Sequence, residues 1–130
     1  MGFIDVGKKE GATVHLGGER HGKEGFFIKP TIFTDCKPEM KIVQEEIFGP
    51  VAAIIKFKTE EGKMLDHTRV KTYLLGYSST SEVIEAANDT TYGLACSVFS
   101  ENGSRALRVT HQLEAGTASV RVIFDTVYNR

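Results

Sequence analysis

Gln44-Glu45-Glu46-Ile47-Phe48-Gly49-Pro50-Val51 sets two carboxylates and an aromatic ring just before a Gly-Pro corner. The spacing of Met40, Val43 and Ile47 predicts a short helix running to Glu46. Gly49-Pro50 ends it, because Gly takes backbone angles that other residues avoid and Pro has no N–H to donate. The mostly apolar run from Val51 to Phe57 then reads as one buried strand. A helix end, a tight corner and a strand leave a carboxylate and a ring at a mouth, a geometry that suits a flat, hydroxylated ligand. One carboxylate can accept a hydrogen bond from each of two neighbouring hydroxyls. Such charge-assisted bonds are about twice as strong as neutral ones. The two acids are not a general acid/base pair, since neighbours on a helix point about 100° apart.

Gly17 to Lys23 spells G-x-x-x-x-G-K, an incomplete phosphate-binding pattern. Glu24 stands where Ser or Thr would hold magnesium, and its charge would repel phosphate. No helix is expected to start there and lend its positive end, so this site is rejected. His15, His21, His67 and His111 form no ligand pattern, and no metal site is expected.

The octet with its flanks resembles the aldehyde dehydrogenases, enzymes that oxidise aldehydes to acids with a nicotinamide dinucleotide. Gly25-Phe26-Phe27-Ile28-Lys29-Pro30-Thr31 and Thr91-Tyr92-Gly93-Leu94 match other stretches of that family, in its order and spacing. The likeness runs through residues 1–61 and 82–118. It implies that Glu46, the second acid of the octet, holds the nicotinamide ribose and that Phe48 lies near the nicotinamide ring. It also implies NAD or NADP as cofactor and an aldehyde as substrate. By family the reaction is thiolate attack on the aldehyde, hydride transfer to the dinucleotide and hydrolysis of the thioester.

Cys36 and Cys96 do not match the family's nucleophile motif. Asp35 disfavours a thiolate at Cys36 although Lys37 offsets it, and Cys96 reads as a small core residue within a strand. The nucleophile, the general base and the Rossmann domain are expected upstream of residue 1. No catalytic residue is therefore assigned here, and the 130-residue chain alone is expected to be inactive. The alternative is a noncatalytic truncated or mis-spliced product that associates with full-length enzyme or does not fold.

The elements that must position these residues read as an α/β domain, a mainly parallel sheet with covering helices. Residues 1–10 look like the tail of a helix stopped by Gly11, followed by a strand over Thr13–Leu16. A polar, glycine-rich loop leads to an extended run from Phe26 to Phe33, where Pro30 suggests an edge or a bulge. Asp35 or Thr34 is placed to cap the helix before Glu46. A helix over Glu82–Asn88, a strand from Ala95 to Phe99, a helix opened by Ser100 or Asn102 and closed by Gly116, and a strand from Thr117 complete the pattern.

The domain assignment is residues 1–130 as a partial catalytic domain, with 62–81 an inserted loop and 119–130 a tail outside the family pattern. Glu60-Glu61 joined to Glu82 restores uninterrupted family sequence, and the 20 intervening residues are a whole number of codons. After Gly116-Thr117-Ala118 the family would continue Trp-Val-Asn. Both departures are expected to be translated introns, with a natural surface insertion as the other reading. Gly62–Ser81 is expected to protrude or to be poorly ordered.

Charge is balanced at 16 Lys+Arg against 17 Asp+Glu, so no nucleic-acid partner is expected. The longest apolar run, Val51 to Ile55, is far too short for a membrane span. Two widely spaced cysteines suit a reduced, cytoplasmic protein. Any homo-oligomer would form through regions outside this chain.

Overall fold

A computed structural model describes residues 1–59 and 77–122, in two units, Met1–Ser79 and Thr80–Arg130. In the first unit, α1 (Gly2–Lys9) buries Ile4 and Gly7, three residues apart on one face. Gly11, at φ +90°, ends it in the left-handed conformation that Gly tolerates. Gly11 N–H then reaches Lys8 O at 3.2 Å and Ala12 N–H reaches Gly7 O at 3.0 Å, the paired bonds of a Schellman cap.

The chain continues through β1 (Thr13–Leu16), β2 (Thr31–Thr34), α2 (Lys41–Gln44), β3 (Val51–Ala53), β4 (Phe57–Thr59) and β5 (Tyr77–Ser79). β2 is the middle strand of a three-stranded sheet. It is antiparallel to β1 and parallel to β3, in the register Thr31↔Val51 to Phe33↔Ala53. β4 and β5 form a separate parallel pair. The core gathers where α1 and α2 meet β2: Ile4, Ala12, Phe33, Cys36, Met40 and Ile42 are buried, Phe33 to 0% exposure. A Cβ added at Gly7 would lie 3.0 Å from both Ile42 Cδ1 and Phe33 Cζ, so glycine is what permits this approach.

The second unit holds α3 (Thr80–Asn88), β6 (Ala95–Ser100), α4 (Gly103–Thr110) and β7 (Thr117–Val122). β6 and β7 pair in parallel from Ala95↔Thr117 to Ser100↔Val122, with α4 as the crossover. Asn102 caps α4, its Oδ1 accepting from Arg105 N–H at 3.0 Å. Asn88 fastens the end of α3 to the chain after α4: its Nδ2 donates to Gln112 O at 2.8 Å and its Oδ1 accepts from Glu114 N–H at 2.9 Å. The mixed α/β class with mostly parallel pairing is thus present, β1 with β2 being the antiparallel exception among the named strand pairs.

Several boundaries differ from the sequence reading. The helix before the Gly-Pro corner stops at Gln44, and Glu45 is already extended at φ −113°, ψ 141°. The return from helix layer to sheet favours extended backbone, which advances about 3.3 Å per residue against 1.5 Å in a helix. Neither Asp35 nor Thr34 caps α2; Met40 holds that position without a side-chain bond. Thr34 closes β2, and Asp35 turns the chain away at φ +54°.

That turn also explains why 51–57 is not one buried strand. Ile54 N–H still reaches Phe33 O at 2.9 Å, but β2 has then ended, and Ile54 is 43% exposed. Pro30 marks neither an edge nor a bulge; it immediately precedes the central strand, where its missing N–H costs no ladder bond. The register irregularity lies in β1, between Val14 and Leu16. α4 ends at Thr110 rather than running towards Gly116.

Of the proposed insertion, residues 62–76 lie outside the described residues, while Tyr77–Ser79 form β5 and Thr80 opens α3. Of the tail, Ser119–Val122 belong to β7 and 123–130 lie outside the described residues, as do His67 and Phe124.

Phe33→Ala is expected to destabilise the first unit by about 3–5 kcal/mol, the usual cost of truncating a buried aromatic. It should appear as a lowered urea midpoint followed by circular dichroism. An unchanged midpoint would remove Phe33 from the core.

Candidate functional site

The site is the returning half of the β2–β3 crossover, Glu45 to Pro50, held at both ends. Upstream, Ile42 of α2 is 3% exposed and anchors the turn in the core. Downstream, Pro50 O accepts Thr31 N–H at 2.8 Å and opens the parallel ladder. Between these anchors Ile47 packs against the core, and its neighbours Glu46 and Phe48 are both exposed. Burial thus alternates out, in, out along residues 46–48.

The two acids are not equivalent. Glu45 lies 3.5 Å from Lys41 Nζ, one turn back on α2. Glu46 has Ile42 at the same spacing, a buried residue with no charge to offer. Among the described residues no hydrogen bond or ion pair engages the Glu46 carboxylate. All its lone pairs are therefore available, and Phe48 beside it is 92% exposed. The structure thus presents a free carboxylate and a bare ring on one anchored segment, able to accept bonds from a vicinal diol and to lie against a flat ring.

Gly17 to Lys23 is not a phosphate cradle. Gly17, Gly18 and Gly22 have positive φ, but Gly18 N–H is spent on Thr31 Oγ1 at 2.9 Å and Gly18 O accepts from Lys8 Nζ. The loop leads to a lone bridge, Arg20 with Ile28, and not to a helix. His15, His21 and His111 are exposed, and no metal-holding cluster occurs among the described residues.

Both cysteines are free thiols. Burial pushes the Cys36 thiol up, and the charge of Asp35 adds to this. Cys36 is 1% exposed, so it is a core side chain. Cys96 is half-buried on β6. The Thr13 hydroxyl and then Lys56, whose Nζ is 3.4 Å away, hold the Asp35 carboxyl below its ordinary value. A depressed carboxyl adds stability that is present above its unfolded value and lost as pH falls through the folded one.

β2–β3 and β6–β7, parallel pairs each joined by a single helix, with an exposed acid and ring on the first crossover, define a mixed α/β protein. It belongs to the aldehyde dehydrogenase family, whose sequence model matches residues 1–66 and 72–127. An aldehyde dehydrogenase from Agaricus bisporus is 53% identical over 120 residues, which are 92% of this chain and 20% of that protein. One from Emericella nidulans is 48% identical, covering 90% and 20%. An NAD+ complex of a Bacillus cereus aldehyde dehydrogenase superposes with a TM-score of 0.71 at 42% identity, over 92% of this chain and 20% of that one. A Mycobacterium tuberculosis aldehyde dehydrogenase complexed with NAD+ gives 0.71 at 36%, over 92% and 21%. The chain thus spans about a fifth of the length of these relatives.

With its thiolate form suppressed and its access closed, Cys36 is expected to resist iodoacetamide near pH 8 in the native state, while Cys96 is labelled first. Mass spectrometry of partly alkylated protein reads the order. Faster labelling of Cys36 would contradict its burial.

Proposed function

We propose that this chain supplies the nicotinamide-ribose clamp of an NAD(P)-dependent enzyme that oxidises aldehydes to carboxylic acids. The observation that carries the reading is the unengaged, exposed Glu46 on a segment anchored at both ends. Two family structures that the chain superposes on hold NAD+, which supports the same ligand class here. The dinucleotide, when bound, supplies the hydride acceptor. Glu46 accepts hydrogen bonds from the ribose hydroxyls, and Phe48 limits where the nicotinamide ring can lie. Neither Cys36, buried with its thiol form favoured, nor Cys96 acts as nucleophile, so the isolated chain does not turn over aldehyde. A cytoplasmic setting belongs to the same proposal, since both cysteines are free.

Titration of the labelled chain with nicotinamide mononucleotide is expected to shift the amides of Glu46, Phe48 and Gly49. Glu46→Gln should weaken that binding about tenfold or more, because a hydrogen bond to a charged group is worth about 1.5–3 kcal/mol. The same sample with NAD+ and an aliphatic aldehyde should form no NADH. Unshifted amides, or undiminished binding by the variant, would defeat the clamp; NADH formation would defeat the inactivity of the chain.

We also infer that Gly62–Ser81 is an addition to the family pattern, encoded by a retained intron. The gap in the family match, residues 67–71, falls inside it, although 62–66 and 72–81 are matched, and removing the segment joins Glu61 to Glu82 in frame. Sequenced transcripts should include a mature form without this segment; its presence in every mature transcript would sink the inference.

A further inference from the structure

α2 has a single turn and no side-chain cap of its own at Met40. A helix this short depends on outside groups for the N–H groups of its first turn. Lys41 N–H finds one far away in sequence: it donates to Glu10 Oε2 at 3.0 Å. Glu10 is the C-cap residue of α1, and the Schellman bonds beside it fix its backbone. Its carboxylate therefore reaches α2 from a rigid base. Three residues before it, Gly7 lets α1 lie directly against Ile42, so the two helices are held by a close apolar contact and a charge-assisted bond. Lys41 passes this restraint forward. Its ammonium lies 5.8 Å from the centre of the Phe3 ring and 3.5 Å from Glu45, the residue before Glu46.

We infer that Glu10 is a positioning residue for the ligand-gripping segment: through Lys41 N–H it fixes the turn from which Glu46 and Phe48 are presented. It touches neither ligand nor reacting atoms and acts only through α2. The part of this inference that concerns ligand rests on the ribose-clamp reading of Glu46.

The test compares Glu10→Ala and Glu10→Gln in the full chain by amide exchange, backbone shifts of residues 45–48 and titration with nicotinamide mononucleotide. Glu10→Ala is expected to speed exchange at Lys41 about tenfold, to move the 45–48 shifts and to weaken binding about fivefold, with Phe33 amide exchange unchanged. Glu10→Gln keeps an acceptor oxygen and should restore most of each effect, which a general loss of stability would not reproduce. Wild-type values at Lys41 and 45–48 in Glu10→Ala would overturn the inference. So would a matching rise in exchange at Phe33 in both variants. If the wild-type chain ignores the mononucleotide while Glu10→Ala still moves residues 45–48, the ribose reading falls and the positioning role stands.

Discussion

Parallel pairing of β2 with β3 is the constraint on which the first unit depends. Parallel neighbours cannot be joined by a tight turn, so the chain must leave the sheet, cross over it and come back. Asp35, at φ +54°, makes the exit and Pro50 makes the return. The outward half is spent on the interior: Cys36, Met40 and Ile42 are all buried. The inward half has to regain the start of β3 and does so without helix, one side chain in and its neighbours out. Exposure of Glu46 and Phe48 follows from that path and from Ile47 being the residue that packs inward. The candidate site is a by-product of sheet topology before it is a matter of ligand chemistry.

The same path separates two acids that adjacent positions make look alike. One turn back from Glu45 lies Lys41; one turn back from Glu46 lies Ile42. An exposed ion pair such as Lys41–Glu45 contributes little stability, often under 1 kcal/mol. Its consequence here is a division of labour: one carboxylate is biased towards the helix and the other is left to solvent. An exposed carboxylate without a partner carries no desolvation penalty, so the fold tolerates Glu46 unpaired.

Local signals in the sequence were legible where the physics is local. Gly11 past a helix end, Thr13–Leu16 as a short strand, Asn102 as one of two offered starts of α4 and the β–α–β order of the second unit all rest on turn chemistry and short-range periodicity. Where contacts distant in sequence decide, the reading failed. Met40, Val43 and Ile47 fit a helical period, yet the helix stops at Gln44 and Ile47 reaches the core from beyond it. Val51 to Phe57 has the composition of a buried strand, but its length is set by where β2 ends, and no residue within 51–57 encodes that. The bond from Glu10 to Lys41 spans 31 positions and leaves no periodic trace. Of the site itself, the two side chains and their exposure at the corner were readable, but not the backbone that displays them or the anchor behind it.

Thr31 ties these observations together. It is 1% exposed, and a buried hydroxyl must find partners. It accepts from Gly18 N–H at 2.9 Å and donates to Lys29 O at 3.0 Å, while its own N–H goes to Pro50 O. One residue thereby joins the glycine-rich loop, the central strand and the Gly-Pro corner. The glycines acquire a reason that phosphate binding did not supply. A Cβ at Gly17 would fall 2.0 Å from Pro30 O, and one at Gly18 would fall 2.9 Å from Val14 Cγ1. Both also sit at positive φ, where any other residue is strained. The stretch that spells a phosphate loop in sequence is, in three dimensions, the packing that brings Thr31 under the corner, and the corner in turn holds the downstream end of the segment bearing Glu46.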